Sequence, residues 1–150
     1  RKKLGSHNRE KARLRLARLD EKISNQRRDF HHKLSRMLVE ENQFIGLEDL
    51  NVRGMLANRH LAKSISDAGW SAFVMMLEYK GEWYDCRIEK ISRWYPSSKI
   101  CSVCGTQMEG IPLNVRIWQC PMCGTVHDRD INAAINILRQ STAGAAERYA

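Results

Sequence analysis

Two Cys-x-x-Cys pairs constrain this 150-residue chain more than any other feature of its sequence. The pairs are Cys101/Cys104 and Cys120/Cys123; each is followed by a glycine, and fifteen residues separate them. Two intervening residues and a turn-forming glycine let two thiolates bind one ion without straining the backbone, and Zn²⁺ prefers four soft ligands in a tetrahedron. The spacing therefore predicts a small zinc ribbon, whose inter-pair loop is expected to fold back as a β-hairpin.

The alternative for these four cysteines is a pair of disulfide bonds. The fifth cysteine, Cys86, would then be an odd thiol in an oxidising compartment, and nothing at the start of the chain resembles a secretory signal. Both observations favour zinc. Four thiolates leave no coordination position for water, so the predicted site is structural and any chemistry has to lie elsewhere.

Positive charge is concentrated at one end of the chain. The net charge is +8, and residues 1–36 hold 13 of the 25 Lys and Arg residues but only four acidic residues. A basic arm of this kind predicts an acidic partner, with nucleic acid as the first choice. The chain contains no run of about 18 apolar residues, which is what a membrane-spanning helix needs. No membrane partner is therefore expected, and the chain is predicted to be soluble and intracellular.

The basic arm is predicted to be one long helix from about Ser6 to Glu41. Its apolar residues recur at intervals of three, four or seven and are expected to form one packed stripe: Leu16, Leu19, Ile23, Phe30, Leu34 and Met37 with Leu38. Basic residues fill the other faces, and the candidate phosphate contacts are Arg13, Arg15, Arg18 and Lys22. The alternative is an ordinary solvated surface, but its charges would be more evenly mixed.

A short apolar run, Phe44 to Leu47, precedes two acids and predicts a buried strand with charge at its carboxyl end. Open α/β sheets build their sites at such strand ends. The alternation of side chains places Glu48 and Asp49 on opposite faces, so at most one of them enters a given cleft. Taken alone, Glu48 is better explained as a surface cap or salt-bridge partner.

The middle of the chain is predicted to contain one helix and one strand. Asp67 is a plausible N-cap for a helix through about Lys80, whose apolar residues at helical spacing are expected in the core: Trp70, Phe73, Val74 and Leu77. The segment 84–94 alternates well enough for a strand, in which Cys86 is expected to be a buried thiol.

Beyond the second cysteine pair, Asp128 is predicted to cap a helix from Arg129 to about Gln140. Asp130 falls in the first turn of this helix, where complementing the helix dipole is the simple explanation. The last residues are small and polar and are expected to fray. Within the ribbon, residues 116–119 are predicted to be the return strand of the hairpin, with Trp118 covering the metal site.

Four segments occur in an order that resembles one known family: IGLEDLNVRGM, WYPSSKICSVCG, WQCPMCG and HDRDINAAINIL. They resemble the C-terminal half of the TnpB/OrfB proteins of bacterial and archaeal insertion sequences, and the basic helix is similar to theirs too. That family has a RuvC-like, RNase H-type fold and is related to the type V RNA-guided CRISPR effectors. The resemblance therefore implies a transposon-encoded, RNA-guided, Mg²⁺-dependent DNA endonuclease, with DNA and guide RNA as partners in a prokaryotic, nucleoid-associated cytoplasmic location.

The resemblance also assigns roles to particular residues. The family's second catalytic acid falls on Glu48 and its third on Asp130, both as Mg²⁺ ligands, and its zinc ligands fall on the four cysteines of the two pairs. The family's first catalytic Asp, in a segment resembling GIDLG, has no counterpart in residues 1–42, and the chain begins with Arg1. This departure implies a truncated chain that cleaves little or nothing alone.

The expected organisation is an α/β RNase H-like fold that is incomplete at its N-terminal end. Residues 1–95 would form the basic helix and the central part of the domain, residues 96–126 an inserted zinc ribbon, and residues 127–150 a C-terminal helix with a flexible tail. The alternative function is a non-catalytic zinc-ribbon module that binds nucleic acid. A zinc-dependent scaffold without a nucleic-acid role fits the charge distribution poorly.

Overall fold

The computed structural model describes residues 3–112 and 114–147, with side chains described as far as Ala145. The helices are α1 His7–Glu41, α2 Val52–Leu56, α3 Ala62–Ala68, α4 Trp70–Tyr84 and α5 Arg129–Glu147. The strands are β1 Phe44–Glu48, β2 Arg87–Ile91, β3 Ile117–Gln119 and β4 Val126–Asp128, with a 3₁₀ turn at Ser97–Lys99. Within the described ranges, none of the helices has the length and apolar composition needed to cross a bilayer.

A parallel pair of strands forms the centre of the α/β part. β1 and β2 run side by side, with Phe44 opposite Arg87 and Glu48 opposite Ile91. Parallel strands need a crossover connection, which the segment containing α4 supplies. A core cluster of Val39, Leu77 and Cys86 joins α1, α4 and the start of β2, so Cys86 is the buried thiol that the sequence predicts.

Helix α5 packs closely against β1 because both elements contribute small residues. A Cβ atom at Gly46 would lie only 2.3 Å from Ser141 Oγ. Ser141 and Ala145 are both buried, and the helix continues to Glu147. The predicted helix end at Gln140 was therefore seven residues early, since contact with the sheet stabilises the small residues that were expected to fray; residues 148–150 lie outside the described part.

Helix α1 buries a different face from the one predicted. Its buried residues are His31, Ser35 and Val39, at positions i, i+4 and i+8. Most of the predicted apolar stripe is exposed: Leu16, Leu19, Ile23, Phe30 and Met37. The 35-residue α1 extends roughly 52 Å, whereas the 15-residue α4 that packs on it extends roughly 22 Å, so the first half of α1 has no neighbouring helix to pack against in the described structure.

Glycine breaks the predicted middle helix. Gly69 has a φ of +63°, which ends α3 and begins α4, so Asp67 lies inside α3 and the N-cap prediction was wrong. Helix α4 then continues past Gly81, where a Cβ atom would lie 2.5 Å from the Cys86 carbonyl oxygen. This close approach brings the chain back early, and β2 is therefore shorter than the predicted strand at 84–94.

Candidate metal centre and strand-end site

The two cysteine knuckles have the same local structure because each has the sequence C-x-x-C-G-T. In each, the first cysteine amide donates to the threonine carbonyl and the glycine amide donates to the first cysteine carbonyl, and all four hydrogen bonds are 2.9 Å long. Gly105 and Gly124 have φ values of +76° and +73°, where side chains other than glycine are strained. The repeated sequence therefore builds two matching half-sites.

The hairpin lies at a different place from the one predicted. Strand β3 pairs antiparallel with β4, so this hairpin encloses the second knuckle and not the loop between the knuckles. Around the first knuckle, a single bridge joins Ile100 to Gln107. Residues 117–119 form a strand as expected. Their partner is β4, because the turn of the second knuckle brings the chain straight back alongside β3.

The four knuckle sulfurs converge on one point. The Sγ atoms of Cys101, Cys104, Cys120 and Cys123 all lie within 4.8 Å of one another. Cys101 and Cys123 are separated by 3.7 Å, and Cys104 and Cys120 by 3.6 Å. Sulfurs bound tetrahedrally at about 2.3 Å from one Zn²⁺ ion lie roughly 3.8 Å apart, whereas a disulfide needs about 2.05 Å. The geometry can therefore hold a metal ion, is consistent with zinc, and excludes the disulfide alternative.

The environment distinguishes the two cysteines of a knuckle. Burial raises the pKa of the Cys101 thiol to about 11, whereas hydrogen bonding to Thr106 lowers the pKa of the exposed Cys104 thiol to about 6. Hydrogen bonding to Thr125 likewise lowers the pKa of Cys123. A metal binds thiolates, so these hydrogen bonds from Thr106 and Thr125 favour the form of Cys104 and Cys123 that a metal needs.

Trp118 and His127 close the buried side of the cysteine cluster. Trp118 is buried and packs with Cys101 and Cys120, in agreement with the predicted cover. Its ring centroid lies 4.7 Å from that of His127, whose Nε2 is 3.1 Å from Cys101 Sγ. Sequence reasoning missed His127, although its place two residues after the second knuckle's threonine, on a short strand that returns toward the sulfurs, was an available signal.

Two buried asparagines of α5 attach the first knuckle to the α/β part. Asn132 accepts a hydrogen bond of 2.8 Å from the Ser102 amide and donates one of 2.7 Å to the Ile100 carbonyl. Asn136 donates to the carbonyls of Ser97 and Ile100, at 2.8 and 2.7 Å. Sequence reasoning missed both residues; the signal was two amides at positions i and i+4 of one helix. The apolar residues at helical spacing in α5, Ile131, Ile135 and Leu138, are exposed instead.

Glu48 occupies the carboxyl end of β1, as predicted, and is held there by a serine. Ser97 is buried, and its hydroxyl donates a hydrogen bond of 2.6 Å to Glu48 Oε1. Asp49 instead pairs with Arg93 beyond the end of β2. The half-buried Glu48 lines a cavity of about 420 Å³ between β1, α4 and α5. Asp49 lines the same cavity, so the prediction that at most one of the two acids enters a given cleft was wrong. The reason is that β1 ends at Glu48, and the alternation of side chains along a strand does not extend to Asp49.

Asp130 occupies the first turn of α5, which the Asp128 carboxylate caps by accepting from the amides of Asp130 and Ile131 at 2.9 and 3.0 Å. The predicted N-cap is therefore confirmed. The Asp130 side chain is 70% exposed and pairs with Arg116 at 3.0 Å. Glu48 and Asp130 lie on β1 and α5, two elements that pack together. Their side chains contact different residues, since Glu48 bonds to Ser97 and Asp130 pairs with Arg116. Within the described residues, only the four cysteines form a metal-binding cluster of three or more side chains.

The four candidate phosphate contacts lie on the exposed first half of α1. Arg13 is engaged by Glu10, with a closest distance of 2.6 Å. Arg15, Arg18 and Lys22 are exposed and form no ion pair within the part of the chain that the structure describes. Their charges are therefore available to an external anion.

Two family models match the chain in sequence. Residues 1–59 match the model described as "Probable transposase", and residues 70–137 match the model described as "Cas12f1-like, TNB domain". Together the two matches include the basic helix, β1 and the cysteine ribbon. β1 and the ribbon are matched by different family models, although in the structure Ser97 and α5 connect them.

Curated relatives match between three quarters and nearly all of the chain. A Streptomyces pristinaespiralis protein named "Putative RNA-guided DNA endonuclease" is 53% identical over 146 residues, which is 97% of this chain and 36% of the relative. A TnpB-like protein of Methanocaldococcus jannaschii is 30% identical over 122 residues, which is 75% of this chain and 42% of the relative. The chain therefore spans less than half the length of either relative.

One solved structure shares the fold. The chain superimposes with a TM-score of 0.64 on a protein chain in the cryo-EM structure of a Cas12f1-sgRNA-target DNA complex, covering 87% of this chain and 40% of that one at 20% identity. At this identity the likeness shows the fold alone. The ordered sequence motifs, the matched relatives and this shared fold together show that the chain belongs to the TnpB/OrfB family.

Proposed function

We propose that the chain contributes Glu48 and Asp130 to a Mg²⁺ site that hydrolyses DNA, within an RNA-guided endonuclease of RuvC-like, RNase H-type fold. One observation carries the proposal: Glu48 stands at the carboxyl end of a parallel strand, in a cavity, with one carboxylate oxygen fixed by Ser97. Ligand sites of open α/β sheets lie at such strand ends. Relatives named as RNA-guided DNA endonucleases support the choice of reaction.

The residues present suit a hard cation. Carboxylate oxygens are the ligands that Mg²⁺ prefers, and Glu48 Oε1 is already oriented by a neutral donor that adds no competing positive charge. Asp130 forms an exposed ion pair with Arg116, which is worth little and can open when a stronger cation binds. A pair of Mg²⁺ ions, when bound, would activate the attacking water and stabilise the leaving oxygen.

The proposal gives the other two features supporting roles. The four cysteines hold a structural Zn²⁺, since four thiolates leave no position for a substrate. The basic face of α1 contacts a nucleic-acid backbone through Arg15, Arg18 and Lys22, with Arg13 contributing less because Glu10 already neutralises it. Guide RNA and prokaryotic chromosomal DNA are the proposed partners.

The proposed site also needs the family's first catalytic acid. Within the described residues, β1 pairs with β2 alone, so one edge of β1 is free to accept a further strand. The family's first strand, with its Asp, would pair at this edge and complete the carboxylate set. The chain by itself is therefore proposed to cleave little or no DNA.

A chimera tests this proposal directly. This chain would replace the matching 36% of the Streptomyces relative, and guide-dependent cleavage of DNA would be measured with Mg²⁺ or Mn²⁺. Glu48→Gln and Asp130→Asn are expected to abolish cleavage while leaving DNA binding intact. Glu78→Gln is the matched control, because Glu78 lines the same cavity as Glu48 but pairs with Lys90. Cleavage that survives both substitutions would refute the assignment.

The second candidate is a nucleic-acid-binding module that cuts nothing. The observation that favours it is the state of Asp130, which is exposed and paired with Arg116 and not joined to other carboxylates. This candidate predicts DNA binding by the chain with no cleavage in either the chain or the chimera, with any divalent metal. Cleavage lost specifically in Glu48→Gln excludes it.

A further inference from the structure

We propose that Trp94 is a binding platform for one unpaired nucleobase of the DNA strand that lies against Glu48. This inference rests on the proposed function and adds a contact that positions the substrate. Trp94 is 85% exposed, and no other large apolar side chain among the described residues is more exposed. Trp94 lies on the rim of a second cavity, separate from the one of about 420 Å³, that Glu48 also lines.

The backbone around Trp94 is held in a defined turn. The Tyr95 amide donates to the Ser92 carbonyl at 3.0 Å, which closes a turn with Trp94 near its apex. The Trp94 amide itself donates to Ser92 Oγ at 3.3 Å. The backbone that carries the ring is therefore already ordered, and only the side chain loses conformational freedom when a ligand binds.

An ion pair attaches this turn to the end of the neighbouring strand. Arg93 Nε lies 3.1 Å from the Asp49 carboxylate, immediately after Glu48 in sequence. The turn that follows β2 is therefore fixed beside the end of β1. Trp94, Arg93, Asp49 and Glu48 together line a cavity of about 330 Å³ that is open on one side. The Trp94 side chain and the candidate catalytic carboxylate consequently border the same space.

The groups on this rim suit a nucleobase. Arg93 pairs with Asp49, so that acid does not repel a phosphodiester, and the remaining carboxylate of the cavity is Glu48, the proposed Mg²⁺ ligand. An exposed indole beside the proposed metal site suits base stacking, which tolerates any sequence because every base has a π-face. The exposed basic residues of α1 would supply the charge-dependent part of the binding free energy. Trp94 would add a contact that does not depend on charge.

Photocrosslinking tests the contact on this chain without requiring cleavage. Single-stranded DNA containing 5-iodouracil would be irradiated with the chain, and the crosslinked residue identified by mass spectrometry. We expect a crosslink at Trp94 that is absent from the corresponding peptide of Trp94→Ala, whereas Trp83→Ala should leave the Trp94 crosslink unchanged. Trp83 is the matched control, since it is also 72% exposed but packs on Tyr79 of α4.

Binding measurements provide the second arm of the test. Trp94→Ala should weaken single-stranded DNA binding by roughly fivefold or more, and Trp94→Phe by much less, because a stacked aromatic ring is retained. The slope of log affinity against log salt should be the same for both variants and the parent chain, since no phosphate contact is lost. A changed slope would mean that the turn contacts the backbone, which would overturn the stacking assignment.

The outcomes separate this inference from the proposed function. A Trp94 crosslink in the chain, with no cleavage in the chimera, would retain the platform and remove the catalytic assignment. Guide-dependent cleavage that is unaffected by Trp94→Ala, with no crosslink at Trp94, would refute the platform alone. Burial of Trp94 by a second copy, seen as a dimer in sedimentation that Trp94→Ala dissociates, would also refute it.

Discussion

Ser97 connects the candidate catalytic acid to the helix that carries the other one. Its hydroxyl donates a hydrogen bond of 2.6 Å to Glu48 Oε1, and its carbonyl accepts one of 2.8 Å from the side-chain amide of Asn136 in α5. The same asparagine holds the Ile100 carbonyl, next to the first knuckle cysteine. The anchoring of the ribbon and the orientation of Glu48 are therefore parts of one hydrogen-bonded unit.

Replacing Ser97 tests whether it orients Glu48. Ser97→Ala should raise the Mg²⁺ concentration for half-maximal cleavage by the chimera about tenfold, because residues that orient a ligand typically change metal affinity by that order. DNA affinity should stay the same. Ser97→Thr, which keeps the hydroxyl, should restore part of the metal affinity. Ser98→Ala, in the same 3₁₀ turn, is the control; an equal shift in both alanine variants would contradict the role of the hydroxyl.

Chelation of zinc under reducing conditions should unfold the ribbon. A segment of this size, with Trp118 as its main buried aromatic side chain, has too little core to fold without the ion. The expected result is a red shift of Trp118 fluorescence and loss of one equivalent of zinc, which Cys104→Ser should reproduce. Cys86→Ala should retain the zinc, since Cys86 lies in the other core cluster. Unchanged fluorescence after complete zinc removal would contradict this prediction.

Asn132→Leu should lower the free energy of unfolding by roughly 2–3 kcal/mol, because it leaves two buried backbone groups, the Ser102 amide and the Ile100 carbonyl, with fewer partners. Urea denaturation of the zinc-loaded chain measures this loss. Gln140→Ala, at an exposed position of the same helix, should change stability by less than about 0.5 kcal/mol. A loss of similar size in both variants would contradict the role of the buried amide, because leucine and alanine both favour helix at least as well as the residues they replace.

Replacing Arg13, Arg15, Arg18 and Lys22 together with glutamine should flatten the salt dependence of nucleic-acid binding. Each lost phosphate contact removes about 0.7 to 0.9 from the slope of log affinity against log salt. Arg13 should contribute least, because Glu10 holds it. Glutamine at Lys33 and Arg36, which pair with Asp29 and Glu40, provides the matched control on the same helix. An unchanged slope would show that these residues of α1 are only solvated and do not contact phosphates.

Lys80 should make stability depend on pH. Burial lowers its pKa below 10.5, while its ammonium donates to the His32 carbonyl and to Ser35 Oγ at 2.6 and 2.8 Å. Between the folded-state pKa and 10.5 the unfolded chain binds more protons, so the free energy of unfolding rises with pH across that window. Below the window both states are protonated and Lys80 adds no slope. Denaturation at several pH values should show a slope that Lys80→Met removes and that Lys63→Met, at an exposed position, retains.

Features that depend on neighbouring residues were predictable from the sequence. The knuckle turns follow from C-x-x-C-G-T, and the Asp128 cap and the start of α5 follow from the residues beside them. The strand that ends in Glu48 follows from a short apolar run followed by acids. In each case the decisive interactions span only a few residues, so the local pattern contains the information.

Features that depend on which surfaces meet were not predictable in this way. Periodicity selected the leucine stripe of α1, but α4 covers the row of His31, Ser35 and Val39. The reason is that α4 offers this row Phe73 for His31, Lys80 for Ser35 and Leu77 for Val39. The length of α5 was likewise set by Gly46, whose missing side chain admits Ser141.

The sequence by itself therefore determined the metal-binding half-sites, the family and the two candidate acids. The tertiary structure decided that Ser97 and Asn136 connect them, and that Trp94 is exposed beside Glu48. The physical reason is that a hydrogen bond between residues 49 positions apart, such as Ser97 to Glu48, exists only after strand and helix have packed, and no local pattern encodes it.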